Sequence, residues 1–464
     1  VAERKYRIFT RQDIDRIPQL KLLPAFHRRA MKAVSAVLPF RVNSYVLDTL
    51  IDWSAVPEDP IYKLVFPQPG MLPPEDLSRL MALVDRGVSE EVLFREARRV
   101  QRSLNAQPGG QKELNVPLLD GRPLPGIQHK YRETVLFFPA AGQTCHSHCT
   151  YCFRWAQFTQ SREDRFESHE TASLIRYLRS KPEVTDVLIT GGDPLVMRSE
   201  VLRQYVEPLL DPSLDHIRNI RIGTKSVTFW PHRFVSDDDA DDLLRLFGEV
   251  RRTGRQMAIM AHFSHPREME TPVAGRAIRR IRTTGAVIRS QSPVVRGVND
   301  SPQTWKELWT RQAQLGVIPY YMFVARDTGA QEYFKVPLVE SVEIYNRAYR
   351  AVSGLGRTAR GPVMSSTPGK ILVDGIARVA GEDVFVLRFL QGRDPAWVGR
   401  PFLARLDPQA AWLDDLEPAL GQEEFFFEGP LRELLARRRA AAQRDRPRSP
   451  THWGPSRPAQ LYDH

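Results

Sequence analysis

Cysteine is nearly absent from this chain: 464 residues hold three, and all three fall within eight positions, at Cys145, Cys149 and Cys152. A secreted protein of this length would be expected to scatter an even set through the chain as disulfides, so the pattern points instead to a reducing compartment and to metal chemistry. Long apolar runs are also lacking. The stretch from Met31 to Ile51 is interrupted by Lys32, Arg41, Asn43 and Asp48, and nothing approaches the roughly 18 uncharged residues that a membrane span needs. The opening residues, Val1-Ala2-Glu3-Arg4-Lys5, have neither the apolar core nor the small-residue cleavage pattern of a secretory signal. These absences lead to the expectation of a cytoplasmic protein with no membrane partner.

Positive charge is in excess, at a formal +11, and its distribution decides what that means. Much of it is local. From Leu431 to His464 eight arginines face Glu433, Asp445 and Asp463, a balance of 8 − 3 = +5. With Arg437-Arg438-Arg439 and repeated proline, the segment reads as a frayed helix followed by a disordered basic tail. A solvated tail is the simpler reading, and nucleic acid is the disfavoured partner.

The pattern divides the chain into four parts. Residues 1–112 read as mainly helical, with helices expected at Pro24–Leu38, Pro74–Arg86 and Ser89–Leu104, and Gly109-Gly110 marks a boundary. Residues 113–360 alternate strands with helices. The expected strands are Thr134–Phe138, Asp186–Thr190, Asn219–Gly223, Gln256–His262, Ala286–Gln291 and Pro319–Val324. Helices fall between them, as at Asp237–Arg252 and Ser301–Gln314. Such alternation implies right-handed crossovers and a parallel sheet, and six strands suit an α/β fold of the partial (β/α)6 TIM-like barrel kind. Residues 361–430 form a small C-terminal extension with further apolar runs, and 431–464 are the basic tail.

The segment Cys145-His-Ser-His-Cys149-Thr-Tyr-Cys152 follows the first expected barrel strand, which places it at the C-terminal mouth where active sites of such folds gather. Three thiolates spaced CxxxCxxC on one loop can cap three corners of a cubane cluster and leave one iron open to a ligand. The competing reading is structural zinc, with His146 or His148 as fourth ligand. Against it, structural zinc usually ties together two separated ligand pairs, and here every candidate lies within eight residues. Strand two ends in Thr190-Gly191-Gly192-Asp193-Pro194, where glycines permit close backbone approach and a carboxylate can meet an ammonium.

Together these segments resemble the radical S-adenosylmethionine (SAM) enzymes, whose signature loop is CxxxCxxC with an aromatic beside the last cysteine, here Tyr151. Further segments narrow the resemblance to the lysine 2,3-aminomutase family across roughly 46–402. They are Leu124-Pro125-Gly126 with His129-Lys130-Tyr131, Ile222-Gly223-Thr224, Ala261-His262-Phe263-Ser264-His265-Pro266, and Gln291-Ser292-Pro293-Val294-Val295-Arg296-Gly297-Val298-Asn299-Asp300. The resemblance implies a 4Fe–4S cluster on the three cysteines and SAM held by Gly191, Gly192, Asp193, His262 and Gln291. It also implies pyridoxal 5′-phosphate (PLP) on Lys370, in Ser365-Ser-Thr-Pro-Gly-Lys370, with Lys130 as a phosphate contact. A lysine amine is the only side chain that can hold this cofactor covalently.

The same resemblance places Arg154 where the substrate α-carboxylate binds, a role suited to its planar fork. Lysine-specific members set two aspartates where a distal ammonium arrives. Here Arg326 takes the first place and no acid stands in 363–370, with Asp327 one residue away. A cation suits a distal carboxylate better than an ammonium. The implied activity is migration of an amino group from the α- to the β-carbon of an amino acid, with an acidic substrate expected ahead of lysine. Alternatives are a lysine 2,3-aminomutase, a relative acting on a lysine of a translation protein, or, from another class, a non-catalytic iron–sulfur RNA-binding protein. An external electron donor such as flavodoxin or ferredoxin is implied, and a homo-oligomer is left open.

Overall fold

The computed structural model describes residues 6–105, 114–159 and 166–444, and of 439–444 only the backbone. Its N-terminal part holds three long helices: α1 (Ala25–Val37), α2 (Pro74–Asp85) and α3 (Glu90–Leu104). Each matches its expected span to within two residues, because each has a clear start. Pro74 opens α2, and the Ser89 hydroxyl accepts from the Val92 amide at the head of α3, where Glu90 and Glu91 oppose the positive end of the helix dipole. The expected Gly109-Gly110 boundary lies outside the described residues.

One sheet of eleven strands runs through the rest of the molecule in strict chain order. The strands are β1 (Ile127–Tyr131), β2 (Thr134–Phe137), β3 (Asp186–Ile189), β4 (Asn219–Thr224), β5 (Gln256–His262) and β6 (Val287–Val294), then β7 (Ile318–Val324), β8 (Arg360–Ser365), β9 (Gly369–Val379), β10 (Glu382–Gly392) and β11 (Pro401–Arg405). From β2 to β8 every neighbour is parallel. The helices on the crossovers include α4 (Ala172–Arg179), α5 (Ser199–Val206), α6 (Ala240–Arg252), α7 (Pro272–Thr283), α8 (Pro302–Leu315) and α9 (Leu338–Arg350). Burial explains the strands: Met257–Ala261 of β5 are buried without a break, as strands covered on both faces must be. The result is an α/β fold with a large mixed sheet and flanking helices. The edge strands β1 and β11 do not pair with each other, so the sheet is open.

The parallel run has seven strands rather than the six expected. The seventh, β8, carries Gly361-Pro362, and a residue without an N–H reads as a break in a strand pattern. It nevertheless pairs with β7 at Tyr321↔Arg360 and Phe323↔Val363. After it the sheet turns antiparallel, with Ser365 opposite Lys370 and Lys370 opposite Gln391. A last helix, α10, spans Glu428–Arg444, and residues 445–464, which include most of the expected tail, are outside the described residues. Among the described residues no helix is long and apolar enough to cross a membrane.

The apolar core of the N-terminal helices does not stop at their own residues. It includes Trp155, Phe229, Trp230, Val295 and Phe334, and Cys149 and Tyr151 pack against it. Asp59, fully buried, caps the turn at Tyr62 and ion-pairs with Arg267. The helical region therefore sits on the mouth of the sheet, where the cysteine loop lies.

Candidate active site

The cysteine loop leaves β2 through a short 3-10 turn at Ala140–Gly142 and is gripped from the N-terminal side. The His148 amide donates to Arg41 O at 2.8 Å, the Thr150 amide to Leu64 O at 2.9 Å, and the Thr150 hydroxyl to Lys63 O at 2.7 Å. Buried Asn43 donates through Nδ2 to His146 O and Phe229 O, while its amide reaches the Ser147 hydroxyl. Burial raises all three thiols above the ordinary value, Cys149 to about 12, and each of Cys145 and Cys149 is pushed further by its fellow cysteines. Such thiols are poor free nucleophiles and fit ligation as thiolates, in which a bound cation replaces the proton.

His146 hydrogen-bonds to the Tyr6 hydroxyl and lies against the Trp230 ring, and His148 stacks on Phe158 at 4.7 Å.

The glycine motif at the end of β3 is the seat of this loop. A Cβ on Gly192 would lie 2.3 Å from Thr144 O, and Gly191, at φ +145°, would drive one into Gln143. The Asp193 amide donates to Thr144 O at 2.6 Å. The Asp193 carboxylate is buried, which raises its pKa, and it accepts from four donors that oppose the rise. These are the Thr224 hydroxyl at 2.7 Å, the Lys225 amide, the Ser226 hydroxyl and the Leu195 amide. Beside it, the Lys225 ammonium meets fully buried Glu268 at 2.6 Å. On adjacent strands, Gln291 Nε2 lies 2.9 Å from His262 Nε2 in register, and burial, with Lys225 second, pushes His262 down to about 3. Its ring is neutral, so Nε2 can accept.

Lys370 lies at the start of β9. Its Nζ donates to Gln391 Oε1 at 2.8 Å and stands 5.0 Å from the centre of the Tyr321 ring and 5.5 Å from that of Tyr131. Burial, then Arg221 and Arg360, push it down to about 7. Lys130 donates to Ser366 O on the loop that precedes Lys370, and burial, followed by Arg393, Arg326 and Lys370, pushes it well below its usual value. The Tyr131 hydroxyl is buried, with Arg393, Arg326 and Ser365 acting on it.

Arg154 and Arg326 meet around one aromatic ring. Their guanidinium carbons lie 5.5 and 5.0 Å from the centre of Phe153, and Arg154 also covers Phe138 at 4.0 Å. Burial lowers Arg154 to about 9, and its Nη1 has no hydrogen-bond partner. Asp327 is raised by burial and by Asp414 and Asp415, while Arg326 opposes the rise. The candidate residues thus fall into two neighbourhoods. Lys225, Gln391, Arg360 and Arg393 belong to them without having been expected. Gln391 was within reach of a hairpin reading that set it opposite Lys370, but the others stand in no motif.

Residues 133–216 match the family model described as a 4Fe-4S single cluster domain. The chain is 30% identical over 393 residues to "Putative L-lysine 2,3-aminomutase" of Aquifex aeolicus, a match covering 85% of this chain and 91% of that one. It is 29% identical over 222 residues to L-lysine 2,3-aminomutase of Clostridium subterminale, covering 48% of this chain and 50% of the other. Among solved structures, a radical SAM methyltransferase from Sphaerobacter thermophilus aligns at TM-score 0.37 and 16% identity, over 52% of this chain and 68% of that one, a likeness that adds nothing to the site. The cysteine loop on its glycine seat, together with the cluster-domain match, defines a radical SAM enzyme that uses a 4Fe–4S cluster. Within that class the chain belongs to the lysine 2,3-aminomutase family. It is an isomerase of the aminomutase kind, which sets aside the non-catalytic RNA-binding alternative.

Proposed function

We propose that the protein is a PLP-dependent radical SAM 2,3-aminomutase, with PLP carried by Lys370. The observation that carries this reading is the Lys370 amine, buried between two tyrosine rings and poised near pH 7, where an unprotonated nitrogen is available to a carbonyl. The Tyr131 ring beside it and the Lys130 ammonium on the preceding loop support a ligand seated there. When bound, the cluster with SAM supplies a hydrogen-abstracting radical, and PLP supplies a conjugated system across which nitrogen can migrate.

The chain's own residues do the holding. Cys145, Cys149 and Cys152 ligate the cluster. Asp193 spends its carboxylate on Thr224, Lys225, Ser226 and Leu195, so on this reading it fixes the motif and leaves the peptide carbonyls of Gly191 and Gly192 to receive the SAM ammonium. Gln291 and His262, hydrogen-bonded to each other, would face SAM, His262 from the end of β5 and Gln291 from within β6, which runs on to Val294 beyond the end expected for it. Arg154 takes the substrate α-carboxylate, its guanidinium resting on buried Phe138 and half-exposed Phe153.

For the substrate, the names of the relatives support L-lysine ahead of the acidic amino acid that Arg326 suggests. On this reading Asp327, next to Arg326 in the chain, is the acid that would meet a distal ammonium. Glutamate stays as the second reading, on the position of Arg326 beside Arg154. Borohydride reduction of the PLP-loaded protein followed by peptide mapping is expected to label Lys370. Anaerobic incubation with SAM and reductant is expected to convert L-lysine to its β-isomer. A label on another lysine overturns the PLP assignment, and turnover of glutamate with none of lysine overturns the substrate.

A further inference from the structure

Lys130 and Arg393 grip the loop before Lys370, and Arg326 adds its charge from the substrate side. The groups acting most strongly on Lys130 are all cationic: Arg393, Arg326 and Lys370. Arg393 is the one that neither the sequence motifs nor the reading above uses. It follows β10 and reaches back over the loop. Its amide donates to Pro368 O at 3.0 Å, its Nε to Thr367 O at 2.8 Å, and its Nη2 to Asn115 Oδ1 at 2.6 Å. Two guanidinium nitrogens are therefore committed, which fixes its orientation, while the amide anchors the backbone to the same loop. The remaining nitrogen, Nη1, is buried and has no hydrogen-bond partner.

A guanidinium braced on two sides with one dry donor left over costs stability unless something fills that place. The occupant must be an acceptor, and the company it keeps says more. Arg393 and Arg326 act on the buried Tyr131 hydroxyl, which Ser365 also meets. Burial and repulsion from Arg438 lower Arg393 to about 10. A neutral acceptor would leave this repulsion in place, whereas a dianion would relieve it.

We propose that Arg393 is a phosphate-gripping residue, its Nη1 closing on the phosphate of PLP from the far side of the loop that carries Lys370, with Lys130 and the Tyr131 hydroxyl completing the grip. The inference rests on the assignment of PLP to Lys370. The choice of phosphate over a substrate carboxylate follows from attachment: Arg393 is bonded to the peptide groups of Thr367 and Pro368, three and two residues before Lys370, and so is positioned for whatever Lys370 holds. The substrate-side cations, Arg154 and Arg326, instead meet around Phe153.

The test compares PLP with pyridoxal, which has the same aldehyde and no phosphate, by absorbance titration of the cluster-loaded protein. Arg393→Met is expected to weaken PLP by about tenfold or more, the scale of one charge-assisted hydrogen bond, and to leave pyridoxal unchanged. Retained pyridoxal binding shows that the site is folded. Equal weakening of both ligands, or of neither, overturns the proposal. Should Arg393→Met fail to fold, Arg393→Lys decides: it keeps the charge and loses the fork, so PLP alone should weaken, by a smaller factor, and wild-type affinity for PLP overturns the idea. Failure of the underlying reading looks different, since wild-type protein would then capture neither aldehyde on Lys370.

Discussion

The two halves of the active centre treat charge in opposite ways. At the seat of the cysteine loop Asp193 has four donors and Lys225 is paired with buried Glu268, and the loop atoms left without partners, His146 Nε2, both ring nitrogens of His148 and Gln143 Oε1, are uncharged. Around Lys370 cation faces cation, with Arg393, Arg326 and Lys370 all acting on Lys130, and the Nη1 atoms of Arg393 and Arg154 are buried without partners. The first region balances its charge by folding. The second carries an excess of positive charge, and anionic ligands are what balance it.

The contrast can be broken in several places. The largest effect is expected from Cys149→Ala, which should abolish the four-iron cluster outright, because no other cysteine exists to replace it. Iron and sulfide analysis with electron paramagnetic resonance of the reduced protein checks this, and an intact signal would refute the ligand set. Next comes Asp193→Ala, which strands four donors in the interior and should destabilise even the cofactor-free protein by on the order of 3 kcal/mol in urea unfolding. Asp193→Asn should cost less.

On the other side the effects are smaller and one changes sign. Lys370, lowered to about 7, loses its proton as pH rises through that value. Covalent capture of PLP by the apoprotein should therefore quicken by about tenfold per pH unit below 7 and level off above it. A profile that keeps rising toward pH 10 would place the amine at its ordinary value. Arg154→Met removes a buried guanidinium with an unpartnered nitrogen, so the apoprotein should gain about 1 kcal/mol while α-carboxylate binding is lost. A loss of stability instead would mean that the second region is as self-sufficient as the first.

Much of this was legible in sequence. Cys145, Cys149, Cys152 and the Gly191-Gly192-Asp193 turn announce themselves because their chemistry demands fixed residue types at short spacing. The strand Gln256–His262 was read at both ends because a strand covered on two faces is continuously apolar. Arg393, Arg360 and Lys225 were not legible. Each stands alone in the sequence and gains a role only through cross-strand neighbours, as Gln391 does by lying opposite Lys370. The outer half of the β9–β10 hairpin was missed because its side chains alternate between partial burial and exposure.

The stitching of Asn43 to His146 and Phe229, and of Thr150 to Lys63 and Leu64, joins residues about a hundred or more positions apart. A nascent chain can form the loop of cysteines as soon as they emerge, yet the loop has its final shape only once segments from before and after it have docked. A substitution at Asn43, 103 residues before His146, thus acts on the cysteine loop as directly as one made inside it.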